Sequence, residues 1–417
     1  MSRRSGGSAA GGRPLSRRSF LKGSLGGAAV LALGPWRLAS AEGGSARDLI
    51  IVSNHGKSGG NGGPSVTLVD PDSLAVLATV PLAGGYSFPA TRWDNARDLI
   101  WSGFAEPGAV CAFRLSTGER VARVHTGSNQ NYTEVTPDGS AVVVAARFQS
   151  RYLKIAADPA GPDFGTVLAT LDDRNGAQPC DVTIDADGGY AYAPDRGNDT
   201  LVVIDLAAFQ VASRVKVGAR AGSGPAQPYM ATVSPSGNVL FVENVVVPGV
   251  SPTGSESVYE LSDPARPQEA ARLTAADGLG HRPLTSEITP DGRYGMVICR
   301  DSSEVSVIDT ERLALAATVS FPDGSNPVTG TFRYGESGHR LFVPLPGRDA
   351  LAVVAVPGFR VEKLVPVGPQ PVGVVYLKAP LPARAGRQAG DPVPLGAALE
   401  AGRTFPPGCP DPCCGSL

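Results

Sequence analysis

Four arginines, Arg147, Arg196, Arg282 and Arg300, stand where short apolar segments begin or end. A guanidinium offers a planar fork of donors that matches a carboxylate or a phosphate. The set is therefore suited to a small anion. Around these arginines, at the same two offsets of a repeat, lie Asn54, His55, Gln178, Asp181, Asp195, Gln227, Tyr229, Glu243, Asn244, His281, Asp301, Asn326 and Gln370. Glu243, Asn244, Asp181, Asp195, Asp301 and Asn326 supply oxygen donors of the kind a divalent cation takes, although their spacing forms no specific motif. The plainer alternative for each residue is a turn position that satisfies loop backbone. The sequence holds no Gly-x-Ser-x-Gly elbow, no His-Glu-x-x-His pair and no phosphate loop with Lys-Ser/Thr.

Histidine and cysteine narrow the metal chemistry. There are four histidines, and only His55 and His281 fall at the candidate offsets, too few for a multi-histidine copper cluster. No axial ligand and cradle for haem stand out. Of six cysteines, Cys111, Cys180 and Cys299 lie among the apolar segments, where Cys180 and Cys299 are placed to approach the candidate site or simply to fill the core. Cys409, Cys413 and Cys414 form a terminal cluster whose odd number leaves one thiol unpaired. That trio suits disulfides first and a soft metal, Cu(I) or Zn, second.

The elements that must position the candidate residues are short strands. Charged residues make up only 18%, while Gly (52) and Pro (37) are abundant, a mixture for tight turns. A turn phrase recurs: Thr136-Pro137-Asp138-Gly139 and Thr289-Pro290-Asp291-Gly292, then Ser234-Pro235-Ser236-Gly237 and Asp185-Ala186-Asp187-Gly188, with degraded copies at Trp93–Ala96 and Tyr334–Ser337. The corresponding turn residues fall at 94, 138, 187, 236, 291 and 336, the spacing of one four-stranded antiparallel unit per repeat. Each turn precedes an apolar strand. A third strand often ends in hydrophobic-Asp, as in Val203-Ile204-Asp205 and Val307-Ile308-Asp309. A fourth strand leads into a Gly…Pro connection. Leu49–Ser53 has no inner strand before it, and Pro371–Leu377 supplies one at the other end. The first unit is thus expected to combine both termini, giving an all-β, seven-bladed β-propeller over 48–378 with no open edge. The candidate residues then share one face, on loops entering inner strands and loops joining second to third strands. Blade 5 carries an insertion from Val246 to Glu256.

These phrases together resemble, across residues 48 to 378, the YVTN-repeat propellers, whose motif runs roughly as Gly-x-x-Pro, an apolar strand, Ser-Pro-Asp-Gly, a Tyr-Val-x-Asn strand and Val-x-Val-Ile-Asp. Val144-Ala145-Ala146-Arg147 departs from the pattern. At the N-terminus, Ser16-Arg17-Arg18-Ser19-Phe20-Leu21-Lys22 resembles a twin-arginine export signal, followed by a short apolar stretch and Ala39-Ser40-Ala41. The resemblance implies a signal over 1–41, cleavage before Glu42, a periplasmic or extracellular destination and passage of an already folded chain. The apolar stretch is too short to span a bilayer. A Pro/Gly-rich tail runs over 379–417. A net charge of −2 and scattered Lys and Arg set nucleic acid aside.

The leading expectation is a non-catalytic, monomeric binding or scaffold propeller that presents its polar face to a small anionic ligand or a protein partner. The alternatives are an enzyme, either a lactonase-like hydrolase or a redox subunit resembling amine-dehydrogenase heavy chains, and metal handling through the terminal cysteines.

Overall fold

The computed structural model describes residues 48–377, apart from 57–64, 82–92, 95–98, 107, 115–119, 129–130, 174, 218–224, 246–251 and 336–337. The signal segment, the tail and Cys409, Cys413 and Cys414 lie outside the described residues. The chain forms seven four-stranded antiparallel sheets. In six of them the four strands are consecutive in sequence, inner to outer. The remaining sheet, blade 1, pairs Pro371–Leu377 with Leu49–Asn54, from Leu49 opposite Leu377 to Val52 opposite Val374. The expected ring closure by both ends is therefore present, and the Tyr376 hydroxyl donates to Asp48 across the seam.

The repeat phrases have local causes. In Thr136–Gly139 and Thr289–Gly292 the threonine hydroxyl donates to the turn aspartate at 2.6 Å, and the glycine N–H donates to the threonine carbonyl. Gly139 and Gly292 take φ of 66° and 71°, a conformation open to glycine without cost. The aspartates ending third strands cap the next hairpin. Asp205 Oδ1 accepts from the Ala207 and Ala208 N–H groups, and Asp309 Oδ1 from those of Glu311 and Arg312.

Among the described residues, apolar clusters fill the gaps between consecutive blades. Alternation along each strand decides which gap a side chain enters. On the second strand of blade 5 (Val239–Asn244), Leu240 and Val242 pack towards blade 4, while Val239 and Phe241 pack towards blade 6 with Val258, Val297, Cys299 and Ile308. This alternation sets the direction of the residue that follows, Glu243.

Candidate functional site

The two sets of loops nominated by the repeat meet on one face, joined by backbone hydrogen bonds. The N–H of His55 donates to the Gln370 carbonyl, that of Arg196 to Gln178, Val245 to Gln227, Arg300 to Arg282 and Asp301 to His281. Gln227, Arg282, Asn326 and Gln370 each precede the proline that opens an inner segment, and each takes a φ between 50° and 59°. The same strained corner thus turns four separate loops towards the face.

Side chains at this rim divide by what they touch. Asn54 and Asn244 are buried and clip their own hairpins: Asn54 Nδ2 donates to Ser65 Oγ and Thr67 Oγ1, and Asn244 Nδ2 to Ser255 Oγ and Ser257 Oγ. Asp195 is likewise buried, with Oδ1 accepting the N–H groups of Gln178 and Gly197 and Oδ2 the amide of Asn198. Arg147 is buried, its guanidinium 5.5 Å from the Phe148 ring centre. Arg196 Nε and Nη2 donate to Gln227 Oε1 at 3.2 and 3.1 Å, joining blade 4 to blade 5. Asn326 donates to the Gly324 carbonyl. Tyr229 is half-buried, and His55, Gln178 and His281 are exposed. Gln370 is half-buried, its N–H donating to Asp349 Oδ1.

On blade 6, Arg282 Nη1 lies 3.8 Å from Asp301 Oδ1. The Arg300 guanidinium is half-buried and held below its ordinary pKa, first by burial and then by Arg282, with Asp301 opposing. Two guanidinium groups sharing one acid leave an electropositive spot that favours an anion.

A group of carboxyl side chains gathers across blades 4, 5 and 6. Asp181, at the entry to blade 4, is buried and its Oδ2 accepts the Ala231 N–H of blade 5 at 3.1 Å. Glu243 is buried on blade 5, its carboxyl pushed up to about 8 by burial above all. The Ser286 hydroxyl holds it back, while Asp181 and Glu287 push it further. Glu256 stands directly opposite Glu243 on the third strand (Ser255–Glu260) and is also fully buried. Burial first and then Glu243 raise its carboxyl well above the usual range. Sequence reasoning missed Glu256, Ser286 and Glu287. One signal for Glu256 was available: Ser255-Glu256-Ser257-Val258 puts an acid two residues before a core valine, on the same side of the strand.

Among the described residues no three His, Cys, Asp or Glu side chains gather as a metal centre. Cys111, Cys180 and Cys299 are buried and unbridged. Cys180 Sγ donates to the Gln178 carbonyl, and burial drives the Cys299 thiol up.

The family model of the twin-arginine translocation pathway signal sequence matches residues 14–34, so the chain is exported by that route to the periplasm or beyond. No helix of the described residues is long and apolar enough to cross a membrane. The fold is shared with solved propellers of low identity. The periplasmic gluconolactonase of Pseudomonas aeruginosa is 18% identical, with a TM-score of 0.59 over 80% of this chain and 99% of that one. A putative 6-phosphogluconolactonase of Bacteroides fragilis is 15% identical, with a TM-score of 0.58 over 79% and 98%. The hydrazine synthase of Kuenenia stuttgartiensis is 16% identical, with a TM-score of 0.51 over 76% and 90%. Comparison with curated proteins gives no match.

These neighbours correct the expectation of a non-catalytic binding or scaffold propeller. They share this ring and bear the names of enzymes, two of them lactonases, which turns the weight to the catalytic alternative. The absence of a spaced catalytic motif was a weak argument against an enzyme, because one fold hosts binding and catalysis alike.

Proposed function

We propose that the protein is an exported hydrolase that opens lactone rings, with Asp181 as the base that activates water. The observation that carries the reading is the placement of Asp181: a buried carboxylate at the inner end of blade 4, oriented by the Ala231 N–H and set within the Glu243 and Glu287 group. The lactonase names of two relatives weigh the same way. In this scheme Asp181 takes a proton from water and the hydroxide adds to the lactone carbonyl carbon. The electropositive spot of Arg282 and Arg300 meets the negative charge, either on the tetrahedral oxyanion or on an anionic substituent of the substrate. Collapse breaks the ring C–O bond, the departing alkoxide takes the proton, and a hydroxy acid is released.

Natively exported protein should hydrolyse glucono-1,5-lactone faster than the spontaneous reaction. Asp181→Asn, close in volume, should lower kcat by about 100-fold or more while the far-ultraviolet spectrum stays the same. Unchanged kcat in the variant removes Asp181 from the role. Failure to turn over any of a panel of sugar lactones removes the reading itself.

A further inference from the structure

Glu243 and Glu256 pose a charge problem that lactone chemistry does not answer. Both carboxyls are fully buried, they face each other across paired strands, and none of their four oxygens has a hydrogen-bond partner at normal geometry. Neither forms an ion pair among the described residues, and the loop between their strands, residues 246–251, contains no Lys, Arg or His. Buried carboxyls of this kind must be neutralised, either by protons or by a bound cation. A second observation comes from the neighbouring blade: Ser286, on the inner strand of blade 6 (Pro283–Ile288), is 3% exposed, and its Oγ, although near enough to Glu243 to hold that carboxyl's pKa back, completes no hydrogen bond at normal geometry. The floor beneath is apolar, made by Phe241, Val258 and Val297.

We propose that Glu243, Glu256 and Ser286 hold a calcium ion between blades 5 and 6. Two carboxylates match a divalent charge, and carboxylate and hydroxyl oxygens from three separate strands suit the hard, geometrically tolerant Ca²⁺. Mg²⁺ demands a stricter octahedral geometry than three strands of this kind impose, and Zn²⁺ takes nitrogen or sulfur where it can. The ion would tie blade 5 to blade 6 from the face that carries Arg282 and Arg300. The inference does not depend on the lactonase reading, since it concerns binding and not turnover.

The test uses full-length, natively exported protein stripped with a chelator, with CaCl₂ alone as the probe. Equilibrium dialysis should show one more Ca²⁺ bound per chain in the wild type than in Glu256→Gln, and the wild-type thermal midpoint should rise with calcium concentration. Ser286→Ala, the milder change, should weaken binding without abolishing it. The Glu243→Gln/Glu256→Gln pair guards against misfolding: two neutral isosteres should fold without calcium and ignore it. Equal calcium binding and an equal thermal response in wild type and the double variant would overturn the site, leaving protons alone to neutralise the pair. A calcium-binding protein that hydrolyses no lactone would sink the proposed activity and keep the site.

Discussion

At the scale of single residues, the rim shows how one position in a repeat serves two purposes. Asn54 and Asn244 end second strands of different blades, and each spends its amide on hydroxyls of its own hairpin. Removing the Asn244 donor deletes two buried hydrogen bonds, while Ser255 Oγ keeps the Arg272 Nε donor and Ser257 Oγ its bond to Glu269 Oε1, so Asn244→Ala should cost about 1–3 kcal/mol in denaturant unfolding. Gly295 is fixed by packing instead. A Cβ there would lie 2.0 Å from Phe241 Cε2, inside the ring. Gly295→Ala should destabilise by about 1–3 kcal/mol, seen as a lower midpoint with an unchanged m-value. The functional use of rim residues was only partly legible. The repeat phase named Asp181, Arg282 and Arg300 because they fall at fixed offsets. The same phase could not separate them from the loop-clipping asparagines, since an offset fixes where a residue stands and not what its side chain meets.

At the scale of elements, register was the hidden variable. Glu256 sits at the end of a stretch that reads as an insertion, Val246 to Glu256, so its pairing with Glu243 depends on where the third strand resumes. A shift by one residue would send it to the opposite sheet face. By contrast the third-strand aspartates were legible as motif and have a simple cause. Asp309 is buried, which alone would raise its pKa, yet the N–H groups of Arg312 and Glu311 and the guanidinium of Arg293 bring it below the usual value. A depressed carboxyl contributes stability that is present above the unfolded value and lost as pH falls through the folded one. Wild type should therefore lose stability in acid below about pH 4 more steeply than Asp309→Asn, a difference that unfolding curves across that range would show.

At the scale of the whole molecule, the blade count and closure followed from repeat phase alone, because a first unit missing its inner strand and a surplus strand at the other end admit one solution. The seam can be probed by pH as well. Tyr376 donates to Asp48, and burial, then that bond and the charge of Asp48, raise the phenol to about 12. A raised phenol contributes stability that is complete below its unfolded value near 10 and lost as pH climbs towards the folded one. Amide exchange of Pro371–Leu377 should therefore quicken in the wild type as pH climbs from about 10 to about 12, whereas Tyr376→Phe should exchange faster already at neutral pH and lack that alkaline step. Equal exchange in both proteins would show that the backbone ladder alone holds the seam.

The seam also has a temporal side. A ring whose first blade borrows its inner strand from residues 371–377 cannot be finished until that strand has left the ribosome. The export signal, at residues 14–34, is the first part to emerge. For a route that carries folded cargo, the address is written before the parcel can be sealed. A chain broken off anywhere before residue 371 would bear the signal on an unclosed ring.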